Sequence, residues 1–346
     1  MIKLFAAVIV SAFLVLPVSA AEITAPEVPA SGAELMPEDT GNFWKGFIEM
    51  LAEGLRLMRP DLKEASGICG TVIAIVILIS MVHCFPGSSR RVSDMVGTVA
   101  IGSVLLESTN SLVVLAGETI TELTNYGKLF IPVMTTAMAA QGGVTSSAAL
   151  YTGTAVFNAL LSGLISRVLL PMVYIYLAFC AANAAIGEDT LKKLRDHCKG
   201  LITWVLKTLL YVFTGYMGIT GVVSGTTDAA TLKATKLTIS GMVPVVGGIL
   251  SDASEAVLVS TGVVKNAAGI YGILAVLAVC LGPFLRIGVH YLLLKATCAV
   301  CGIFDKQSMS GLIQDFSGAM GLLLAMTGTV CLLLLISTVC FLREVG

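Results

Sequence analysis

Residues 318–342 contain no charged side chain at all. Crossing the roughly 30 Å hydrocarbon core of a bilayer takes about 20 apolar residues in a helix, so this run is long enough to span one. Comparable runs recur at 66–85, 95–117, 160–186, 201–225 and 267–286. Lipid offers no partner for backbone N–H and C=O groups, which leaves helices and closed barrels as the spanning structures, and runs of this length read as helices. Hydrophobic residues make up 56% of the chain and charged ones 12%, with a mean hydropathy of +0.92, a balance that a soluble domain of this size could not keep off its surface. The expected fold class is an all-α polytopic membrane protein with about 6–7 transmembrane helices and two further broken or re-entrant segments.

The net charge of −1 provides no basic face for nucleic acid. The nine cysteines, several inside apolar runs, read as small membrane-core side chains rather than a disulfide framework.

Residues 1–20 carry Lys3, an apolar core from Leu4 to Leu16, Pro17 and the small-residue site Val18-Ser19-Ala20. This is the pattern of a secretory signal peptide cleaved after Ala20. An uncleaved first span is the other reading, for which the run is short. Residues 21–65 then form an extracytoplasmic region. Glu22, Glu27, Glu34, Glu38 and Asp39, with three prolines and no base, make 21–41 an acidic tether unable to bury a core. Beyond Asn42, the side chains of Phe43, Phe47, Leu51, Leu55 and Met58 recur at helical spacing, with Glu49, Glu53 and Arg56 elsewhere on the wheel. Trp44 and Phe47 suit a helix lying in the membrane interface; a partner-binding helix fits the same pattern.

The membrane domain, residues 66–346, opens with a span at 66–85 followed by the short basic loop of Arg90 and Arg91. An extracytoplasmic mature N-terminus makes that loop cytoplasmic, as the positive-inside rule requires. Lys192, Lys193, Arg195 and Lys199 place the 187–200 loop on the same side. Residues 287–304 read as an interfacial helix or as one more span, and 318–342 as the last.

Two segments break the apolar pattern. In 130–153, Pro132 precedes Gly142-Gly143; in 233–266, Pro244 precedes Gly247 and Gly248, with Asp252 and Glu255 close behind. Broken backbone at membrane depth must be buried in protein or line a cavity, so both read as re-entrant. Pro132 stands as far from Pro171 as Pro244 does from Pro283, and each copy carries an arginine, Arg167 or Arg286, which suggests a parallel repeat over about 95–200 and 201–317. Charge inside a span marks a candidate site, which singles out Glu107, Arg167 and Lys207 beside Pro244, Gly247, Gly248, Asp252 and Glu255 as pore or assembly residues. The bland readings are mutual neutralisation in the bundle, snorkelling for Lys207, and a solvated outer face for Asp252 and Glu255. Gly215, Gly218 and Gly221 are expected to let helices approach closely.

The run KATKLTISGMVPVVGGILSDASEAVLVSTGVVKNAAGIYGILAV, the signal peptide before an acidic tether, and the closing span after Phe304-Asp305 resemble stage III sporulation protein AE of endospore-forming bacteria. The likeness covers most of the chain from Ser66 onward. It implies a membrane component of the complex that joins mother cell to forespore, working with other stage III A-operon proteins and a forespore membrane partner. It implies no catalytic residue.

Catalysis finds no support in the residues themselves. The only histidines are His83, His197 and His290, with neither HExxH nor a Gly-x-Ser-x-Gly elbow, and no cofactor or metal is expected. Cys298 and Cys301 form one CxxC, short of the four ligands of a zinc site, so a structural role is expected, with redox chemistry as the rival. Two function classes remain: an assembly subunit of a multi-protein channel, or a self-sufficient secondary transporter of an unknown small solute.

Overall fold

The computed structural model describes residues 26–37, 43–85, 89–140, 144–242, 247–304 and 307–343, with the side chains of 140, 221–268 and 343 left aside. The signal-peptide region 1–20 and Pro244 lie outside the described residues. Every regular element among the described residues is helical: α1 (Ala30–Ala33), α2 (Phe43–Leu57), α3 (Arg59–Val82), α4 (Arg90–Ala140), α5 (Val144–Leu164), a π-helical turn (Ile165–Leu169), α6 (Leu170–Ile186), α7 (Asp189–Met242), α8 (Gly247–Gly302) and α9 (Gln307–Arg343). Counting α5 to α6 as one rod, six stretches are long and apolar enough to cross a membrane.

The helices are longer than the apolar runs. α4, α7 and α8 hold 51, 54 and 56 residues, which at 1.5 Å per residue makes each about 75–85 Å long, more than twice the hydrocarbon thickness. The expected span 95–117 and the start of the broken segment at 130 are therefore one helix. Pro132 sits inside it, where proline removes a single ladder bond. Likewise 201–225 continues to Met242, and 267–286 joins 287–304 in α8 with Pro283 inside, so 287–304 is neither a separate span nor a separate interfacial helix. Gly247 and Gly248 are the first two residues of α8.

Side-chain contacts give the register. Gly127 lies against Asn158 and Gly117 against Leu170, while Tyr174 bonds Asn110, so α4 runs antiparallel to α5 and α6. Phe157 packs on Phe213 and Gly153 on Tyr216, which makes α5 antiparallel to α7. Ser317 bonds the Tyr291 carbonyl and Gly269 meets Leu342, which makes α9 antiparallel to α8. Consequently the turns after α3, α6 and α8 share one end of the bundle. α9 packs against α4 to α8 in turn. Phe316, Met320, Leu323, Met326 and Val330 on it are fully buried while Leu332 and Val339 are exposed, so protein on most sides and lipid on the rest leave this helix no need of a polar face.

Hydroxyls complete a core short of water. Thr124 donates to the Ile120 carbonyl at 2.6 Å and Ser337 to Leu333 at 2.8 Å, each within its own helix. Thr154 donates to Ser337 Oγ across helices at 3.1 Å, a polar link of the kind that joins helices in lipid. Close approaches fall at Gly153, Gly269 and Gly272, where a Cβ would lie within 2.3 Å of Tyr216, Leu342 or Phe130. Gly215 and Gly218, expected at such contacts, face open space instead, because that side of α7 points outward.

The N-terminal region is docked. Leu35 is buried with Met50, Leu274 and Ala278, so residues 30–36 lie on α8 rather than as a free tether. Gly32 permits this, since a Cβ there would come within 2.8 Å of the Val279 amide nitrogen. α2 turns Gly46, Met50 and Gly54 inward, with Gly54 against Leu281 and Leu285. Trp44, Ile48 and Leu55 remain exposed on its outer side.

Candidate functional site

Pro171 shapes an outer groove between α4 and α6. Its missing N–H and its ring disrupt the helical bond to the carbonyl of Arg167 four residues earlier, and the chain accommodates this with a π-helical turn at Ile165–Leu169. The turn leaves Ser166, Arg167 and Val168 exposed. Beside it α4 presents Val114, Glu118 and Thr121 outward, spaced so that they share one helix face. Together these surfaces enclose a groove of about 640 Å³ between α4 and α6 that also takes in Glu122 and Tyr174. The Tyr174 hydroxyl donates to Asn110 Oδ1 at 2.9 Å, closing one end. Ser31 of α1 donates to Glu122 at another.

The three charges expected inside the spans do not converge. Glu107, Arg167 and Lys207 are all exposed on the outside of the bundle, on α4, the π turn and α7. None makes an ion pair among the described residues, so mutual neutralisation within the bundle fails for them. Gly247, Gly248, Asp252 and Glu255 fall in the first turns of α8, where only the backbone is described.

Partly buried ion pairing occurs elsewhere. Arg195 Nη1 donates to Asp315 Oδ2 at 2.6 Å, with both side chains 14% exposed, and the guanidinium also holds Asp196 at 2.9 Å. Tyr176 donates to the Asp315 carbonyl at 3.0 Å, so α6, α7 and α9 meet at one point. The sequence signal is a lone carboxylate three residues ahead of a charge-free run; Arg195, expected in the 187–200 loop, sits within the second turn of α7. A second cluster ties α3 to α8: Arg286 Nε lies 3.3 Å from Asp61 and its Nη2 3.4 Å from Glu64. The Cys298 thiol lies 3.3 Å from Ser310 Oγ, and Cys301 is buried and free.

A closed helical core, six membrane-length helices and ion pairs that pin helix to helix define a multi-pass α-helical membrane protein. Residues 36–343 match the stage III sporulation protein AE family, and the chain belongs to that family. It is similar to stage III sporulation protein AE of Bacillus subtilis (strain 168), with 22% identity over 224 residues, 63% of this chain and 56% of that relative. The match thus spans just over half the length of that curated relative. No solved structure matches. Family membership carries a role in sporulation.

Proposed function

We propose that this chain is a non-catalytic assembly subunit of the channel complex joining mother cell to forespore, seated in the mother-cell membrane around the forespore with its mature N-terminus extracytoplasmic. Its partners are the other stage III A-operon proteins and a forespore membrane protein. The observation that carries this reading is the outward-facing groove between α4 and α6. Glu118 lines it, and Glu118, Glu107 and Arg167 all stand exposed on α4 and the π turn with no ion-pair partner among the described residues. A solitary carrier gathers such groups around an interior midplane site, whereas charges on an outer membrane face call for a partner that covers them.

Co-purification from sporulating cells tests this. Wild type is expected to bring down other proteins of the operon in fixed ratio, and Glu118→Gln with Arg167→Gln to lose them while remaining inserted. Gly248→Leu is expected to weaken assembly through overpacking, with Asp252→Asn plus Glu255→Gln doing little. Partner recovery unchanged in Glu118→Gln/Arg167→Gln and Gly248→Leu, with forespore gene expression lost only in the carboxylate pair, would favour the transporter instead.

A further inference from the structure

Lys207 is exposed on a candidate membrane span, with no ion-pair partner among the described residues, and the face of α7 on which it lies explains it. Lys193, Asp196, His197, Gly200, Leu201 and Trp204 line a groove of about 650 Å³, and their spacing puts them on one stripe that continues to Lys207. Trp204 is 66% exposed, and Lys193 and His197 are exposed above it. Gly200 opens the centre of the stripe, since a Cβ there would meet nothing within 4 Å.

The charges in this groove do not cancel. Asp196 and Asp315 share Arg195, at 2.9 and 2.6 Å, and Lys199 is a second cation acting on Asp315, so these two carboxylates are met by two cations. Lys193 and Lys207 are left, separated by about 21 Å of helix. Helical side chains lean toward the N-terminus of their helix, so the Lys207 stem carries its ammonium back past Trp204 toward His197. Here α7 passes from its charged first turns, Asp189 to Lys199, into the apolar run after Gly200. An exposed tryptophan flanked by lysines at such a boundary has the chemistry of the headgroup zone. A soluble anion would have no use for the apolar half of the stripe.

We propose that this face of α7 binds the phosphate of an anionic phospholipid in the leaflet that borders the turn between α6 and α7. Lys207 reaches back to the phosphate, Lys193 attracts it from the polar end of the stripe without touching it, His197 lies between them, and Trp204 packs on the glycerol and first methylenes.

Trp44 and Trp204 are the two tryptophans, so Trp44→Phe makes the emission report on this face alone. The full-length variant is reconstituted in phosphatidylcholine vesicles holding a minor fraction of either brominated phosphatidylglycerol or brominated phosphatidylcholine. Brominated phosphatidylglycerol is expected to quench Trp204 preferentially. That preference should fall about fivefold with each of Lys193→Gln and Lys207→Gln, persist in the corresponding arginine variants, and weaken with salt. Equal quenching by the two lipids would overturn the proposal before any lysine is changed. So would a preference untouched by both glutamine substitutions, or one abolished by free inorganic phosphate, which would assign the site to a soluble anion. Absence of quenching by either lipid would show the face covered by protein and refute it too.

Discussion

Arg195 and Asp315 are 120 residues apart in the chain and 2.6 Å apart in space, each side chain 14% exposed. The pair locks the start of α7 to the start of α9 at the end of the bundle where three turns meet. Removing one partner of a fully buried pair costs roughly 3–5 kcal/mol, while replacing both by apolar groups of similar size is often close to neutral; this pair is part-buried and Asp315→Leu leaves Arg195 with the more exposed Asp196, so the cost falls below that range. Asp315→Leu is therefore expected to lower the thermal midpoint of the detergent-solubilised protein, and Arg195→Met with Asp315→Leu to restore most of it. A double variant no more stable than the single one would show that the pair does not act as a unit.

Gly153 and Tyr216 give a second coupled test. A Cβ at 153 would lie 2.0 Å from the Tyr216 ring, whose hydroxyl donates to the Ala149 carbonyl at 3.2 Å. Gly153→Ala forces the ring aside and should destabilise by about 1–3 kcal/mol. Tyr216→Leu should relieve most of that loss, giving a non-additive cycle in unfolding measurements.

Gly32 decides whether the N-terminal segment stays docked. Gly32→Val would press a branched side chain onto the Val279 backbone, 2.8 Å from where its Cβ would sit. Residues 26–37 should then come off α8 and become the first site of limited proteolysis. Cleavage kinetics indistinguishable from wild type would mean that the contact is dispensable.

Two expectations concern orientation. Intact mass should place the mature N-terminus at Ala21; a species retaining residues 1–20 would add a span. Single cysteines in a cysteine-free background should react with an impermeant reagent from outside at positions 228 and 265 and not at 193. Reaction from outside at 193 would invert the bundle and move the proposed lipid site to the other leaflet.

Much of the architecture was legible one residue at a time. The uninterrupted run at 318–342 required a membrane helix, and the spacing of Phe43, Phe47 and Leu51 anticipated α2. Pro171 stands inside the expected 160–186 span, and the structure accommodates it with a π turn that the run of apolar residues did not announce. The run and the spacing were readable because hydropathy is local, summed along the chain without reference to neighbours.

Tertiary structure decided the rest. A helix crossing lipid is apolar on the sides facing protein and on the sides facing lipid alike, so no periodicity could say that Glu107, Arg167 and Lys207 point outward or that α9 sits at the centre. Polar stretches such as 118–129 stay helical because Ile120, Leu123 and Tyr126 are buried against the bundle, a contact made outside the reach of any local pattern. The partner of Arg195 lay in a distant segment, and only folding brings Asp315 to it. The sequence by itself determined that the chain lives in a membrane as helices; which faces those helices hide, and which they offer to lipid or to partners, was settled by packing.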